Sequence, residues 1–99
     1  MSLQNFLEFV KSNGDRRMAV TKMKNLNNPE WGTSDVPVGE PFFGRVKLRE
    51  VIDEEFSGAQ LVVGDYHLRT SVLRDAVQKS PNKWLAKTLN SVYKVEIIE

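Results

Sequence analysis

The chain has 99 residues, 40% of them hydrophobic and 27% charged, with 14 Lys and Arg against 13 Asp and Glu for a net charge of +1. Those values describe one globular domain over residues 1–99 with a single core, and they exclude a disordered tail and any overall field that would announce a partner. Cysteine is absent, which excludes disulfides, thiolate metal sites and a cysteine nucleophile, while the polar N-terminal residues and the lack of a long apolar run predict a cytoplasmic chain with no membrane partner.

Leu3, Phe6, Leu7 and Val10 recur at helical spacing between Ser2, a suitable N-cap, and Asn13-Gly14, a stop, so a helix is predicted over residues 3–12. Residues 15–24 read as extended, with Met18, Val20 and Thr21 suited to a strand. Residues 25–41 hold three of the four prolines and two of the six glycines, the composition of a long loop. Residues 42–52 give the clearest strand signal. Phe42, Val46, Leu48 and Ile52 share one face, and Phe43, Arg45, Lys47 and Arg49 share the other. Residues 59–68 form the return strand of an antiparallel hairpin.

From Thr70 the period changes: Val72, Leu73, Ala76 and Val77 make a helical stripe, and Ser80-Pro81 reads as the N-cap and first residue of a further helix with Trp84, Leu85 and Leu89 inward. Residues 92–98 alternate as a final strand. The expected fold is therefore α+β, a small, mostly antiparallel sheet of about four strands with about three helices packed on it.

Catalytic chemistry finds little support. Gly39 to Val46 has the glycine spacing of a phosphate-binding loop, but Arg45 stands in the lysine position, Val46 in that of the magnesium-binding hydroxyl, and Pro41 removes an amide. His67 is the lone histidine, and Glu50, Asp53, Glu54 and Glu55 lack the spacing of a calcium loop. A non-enzymatic protein without a cofactor or a metal is expected.

Two features point to binding. The first is Trp31 in the long loop, an aromatic anchor with Leu26, Val36 and Val38 as apolar contacts and Glu30, Asp35 and Glu40 as an acidic rim. On this reading the protein is a regulator or inhibitor acting on another protein through the loop and an adjacent sheet face. The second is the stripe Arg45, Lys47 and Arg49, spaced about 7 Å apart on one strand face like successive phosphates, with Phe43 as a stacking surface. Arg16, Arg17, Lys22 and Lys24 extend it if the early strand lies alongside. This is the alternative, a nucleic-acid-binding module. A helix-turn-helix over the last two expected helices is poorly supplied with base-reading side chains, offering Asn82, Lys83, Lys87 and Asn90.

Overall fold

Phe6 and Val10, four residues apart on the first helix, are both buried, with Leu3, Leu7 and Phe9 partly buried beside them. A computed structural model describes residues 2–26, 37–52, 57–64 and 68–98. That helix is α1 (Ser2–Ser12). It stops at Asn13, whose main-chain N–H and side-chain Nδ2 both donate to the Phe9 carbonyl, at 3.2 and 2.8 Å, so the side chain reinforces the last turn.

Among the described residues every element after α1 is a strand. The elements are β1 (Arg17–Asn25), β2 (Pro41–Val51), β3 (Gly58–Val63), β4 (Leu68–Arg69), β5 (Leu73–Ser80), β6 (Lys83–Thr88) and β7 (Ser91–Ile97). They form one antiparallel seven-stranded sheet in the order β4-β3-β2-β1-β7-β6-β5. The two chain halves thus meet at β1 and β7, paired from Met18↔Ile97 to Asn25↔Ser91 with a bulge between Lys22 and Lys24.

The sheet curls so that its two ends approach one another. Gly58, at the start of β3, has φ +150° and lies so close to Val72 that a Cβ there would stand 2.5 Å from the Val72 Cγ1. Only glycine permits this approach, because any side chain would overlap a buried, branched one. Thr70 holds the same corner: its N–H donates to the Leu61 carbonyl at 3.0 Å, and its Oγ1 accepts from the Leu61 N–H at 3.0 Å. Helix α1 packs against β5 and β2 and fills the concave side. Met18, Val20, Val46, Leu61, Val63, Val95 and Ile97 supply the core from the sheet. Phe6 and Phe9 meet the Trp84 ring at centroid distances of 5.5 and 5.8 Å.

The expected α+β fold of about four strands and about three helices is corrected to a mostly β fold, in which the described residues form seven strands and one short helix. The two C-terminal helices are instead the β5–β6 hairpin, closed at Pro81-Asn82 with Ser80 opposite Lys83. Proline and asparagine at the centre of a tight turn do what the N-cap reading had them do for a helix. The helical stripe has a specific origin: β5 carries register shifts between Leu73 and Asp75 and between Gln78 and Ser80. The first bulge places Leu73 and Ala76, three residues apart, on the buried side, which imitates helical spacing. In β6 the buried residues alternate as Trp84, Ala86 and Thr88, and Leu85 is only partly buried. The helix-turn-helix falls with the helices. Ile52, expected in the core, is 87% exposed.

Candidate functional site: a cationic sheet face

Alternation along β2 decides which side chains leave the core. Val46 is buried, with Phe42 and Leu48 partly so, while Phe43, Arg45, Lys47 and Arg49 are exposed on the outer surface. Pairing then determines what lies beside them. Arg17 of β1 sits directly opposite Arg45, and Ala19 opposite Phe43. On the other flank Lys47 is opposite Val62, which is opposite Arg69 of β4, so two cations flank one valine in a row across three strands. Arg49 is opposite Gln60 and donates from Nη1 to its Oε1 at 3.3 Å.

The outer face of β1–β4 therefore carries Arg17, Arg45, Lys47, Arg49 and Arg69 around Phe43, which is 49% exposed. No carboxylate belongs to β1, β3 or β4, and Glu50 is the single one in β2. Among the described residues none of Arg17, Arg45, Lys47 and Arg69 forms an ion pair. A protein of net charge +1 has thus concentrated five cations on one surface, and a polyanion lying there meets them together. Gly44 serves this surface indirectly. A Cβ at Gly44 would stand 3.2 Å from the Gly64 main-chain nitrogen, which donates to the Arg45 carbonyl at 2.9 Å.

The residues expected to extend the stripe separate. Arg17 joins it, and Arg16 is exposed in the turn just before β1. Lys22 points inward, opposite Tyr93, and is fully buried. Burial lowers the pKa of Lys22 and raises that of Tyr93, the latter partly offset by the side-chain hydrogen bond to Ser91. Lys24 is exposed beyond the Thr21↔Pro41 pair where β2 begins, away from Arg45. Sequence reasoning missed Arg69. Nothing in the sequence around it signals a two-residue strand, so its place in the row became visible only through the β3–β4 pairing.

Of the loop-centred site, Glu30, Trp31, Asp35 and Val36 lie outside the described residues, as do His67, Asp53, Glu54 and Glu55. Leu26 is half-buried, its N–H donating to the Asn90 carbonyl at 2.7 Å, and Val38 and Glu40 are exposed. A second surface is a shallow groove of about 340 Å³ across β1, β7, β6 and β5, in which Met23, Val77, Leu85 and Val92 stand beside the charged Lys24, Asp75 and Lys87. Among the described residues no three His, Cys, Asp or Glu cluster where they could hold a metal ion, and no helix is long and apolar enough to cross a membrane. No family model, curated protein or solved structure matches the chain.

Proposed function

We propose that the protein is a single-stranded nucleic-acid-binding module whose working surface is the outer face of β1–β4. The observation that carries this reading is the set Arg17, Arg45, Lys47, Arg49 and Arg69 gathered around an exposed Phe43. The cations engage successive phosphates, and Phe43 offers a ring on which one base stacks; both interactions tolerate any base sequence. A single strand suits the surface better than a duplex because the exposed Phe43 ring needs an unpaired base to stack on, and a duplex keeps its bases stacked on one another. The proposed activity is binding, without a catalytic step. The reading as a regulator or inhibitor anchored by Trp31 draws on residues outside those described, so the sheet face supports the nucleic-acid reading more directly.

The test is fluorescence anisotropy with a labelled oligothymidylate at about 50 mM salt, where electrostatic association is least screened. The wild-type protein binds, and the variant with Arg45, Lys47 and Arg49 all replaced by Gln loses most of that binding while keeping its fold by circular dichroism. Absence of wild-type binding at low salt, or equal binding by the variant, contradicts the proposal.

A further inference from the structure

Strand β2 is longer than its partner on one side. Its pairing with β1 ends at Arg17↔Arg45, whereas its pairing with β3 continues from Val46↔Val63 to Val51↔Gly58. Beyond Arg45, β2 thus has a strand on one flank only. The Gly64 N–H donates to the Arg45 carbonyl, so Arg45 turns its main chain toward the β3 side. Alternation along an antiparallel strand then turns Lys47 and Arg49 the same way, and Leu48 and Glu50 the opposite way. Among the described residues no main-chain group pairs with the N–H and C=O of Leu48 and Glu50 on that open side.

This bare edge opens into a cleft. Between α1 and β2 lies a space of about 410 Å³, lined by Val10, Lys11 and Gly14 on one wall and Val46, Lys47 and Leu48 on the other. Its walls are apolar, its two charged residues are lysines, and no carboxylate lines it. Ile52, one residue past the strand end, is 87% exposed, an apolar side chain with nothing over it at the end of the same edge.

We propose that this seam takes an extended, acidic polypeptide segment of a partner protein, which adds to β2 as a strand alongside residues 46–50. The N–H and C=O groups of Leu48 and Glu50, which no main-chain group among the described residues pairs, match an extended backbone, which presents acceptors and donors at the same alternating spacing. Lys11 and Lys47 select carboxylates, and the apolar walls take the alternate side chains of the incoming strand. The site is separate from the nucleic-acid face apart from Lys47, which is exposed on the outer surface and also lines the cleft. Lys11 belongs to the seam alone.

The experiment is amide hydrogen exchange by NMR on the full chain, with a capped heptapeptide of alternating Glu and Val as the probe. In the free protein the amides of Lys47 and Arg49 exchange slowly and those of Leu48 and Glu50 fast. Adding the peptide at about 1 mM, a concentration that detects even weak association, slows Leu48 and Glu50 at least about tenfold. The same peptide N-methylated at alternate residues gives no protection, the counterpart with Lys for Glu gives none either, and Lys11→Glu weakens the acidic peptide several-fold while leaving oligonucleotide binding unchanged. Three outcomes each overturn the proposal: Leu48 and Glu50 already protected in the free protein, no protection from the acidic peptide, or equal protection from the N-methylated one. The first would show the edge closed, and the second would leave β2 with an ordinary solvated edge guarded by charge.

Discussion

Arg17 and Arg45 face one another across the β1–β2 pair, both on the outer surface and neither in an ion pair among the described residues. Directly opposed residues of an antiparallel pair bring their Cβ atoms to about 4.5 to 5.5 Å, and like charges there are destabilising. A pairing that works against the fold fits the reading that the surface is shaped by something other than stability. Arg45→Thr, which puts a good strand former in place of one cation, is expected to raise stability by about 0.2 to 1 kcal/mol in denaturant unfolding while weakening oligonucleotide binding. Loss of stability on that substitution would mean the opposed arginines support the sheet.

Gly58 and Val72 define the corner where the sheet closes on itself. Gly58→Ala places a methyl group against Val72 at a backbone angle that side chains avoid, and it is expected to cost about 1 to 3 kcal/mol. Val72→Ala in the same chain recovers part of that loss, so the double variant is less destabilised than the sum of the two single ones. Simple additivity in urea unfolding would place the two residues apart.

Trp84 and Leu85, adjacent in β6, separate a strand from a helix. Trp84 is 4% exposed and packs its ring on Phe6 and Phe9, whereas Leu85 lines the outer groove. Trp84→Ala is expected to cost about 3 to 5 kcal/mol and Leu85→Ala less than about 1 kcal/mol. Comparable costs at both positions would restore the helical arrangement in which both point inward.

Lys22 and Tyr93, opposed across β1 and β7, predict the alkaline behaviour of the fold. Burial holds the Lys22 pKa below its ordinary 10.5, so between the folded value and 10.5 the unfolded chain binds more protons and stability rises with pH. Burial holds the Tyr93 pKa above its ordinary 10.0, so above 10.0 the folded chain binds more protons and stability falls as pH climbs through the folded value. Lys22→Met is expected to flatten the rise, and Tyr93→Phe to remove its share of the fall, in thermal melts recorded across the alkaline range. A wild-type-like profile for both variants would place neither group in the interior.

The sequence made the first helix and the long basic strand legible because each has an unbroken period: Phe6 and Val10 at helical spacing, Val46 and Leu48 alternating with Arg45, Lys47 and Arg49. The final strand was legible too, predicted over residues 92–98 and found as β7 (Ser91–Ile97), but residues 70–90 were not, for the same reason in reverse. A bulge in β5 resets the alternation, so Leu73 and Ala76 share a face at helical spacing, and Ser80-Pro81 suits both a helix start and a hairpin turn. Of the cationic face, the stripe on β2 could be read along one strand. Its breadth could not, because Arg17 beside Arg45 and Arg69 beside Val62 are consequences of register between strands far apart in the chain.

The most direct test of the cationic face is the salt dependence of oligothymidylate binding, because its slope counts phosphate contacts. Five contacts to a single strand predict a slope of log affinity against log salt near −3.5, at about −0.7 per contact. Replacing Arg45, Lys47 and Arg49 with Gln should make that slope shallower by about 2. A slope unchanged by the triple replacement, or wild-type affinity indifferent to salt, would contradict the assignment of this face to nucleic acid.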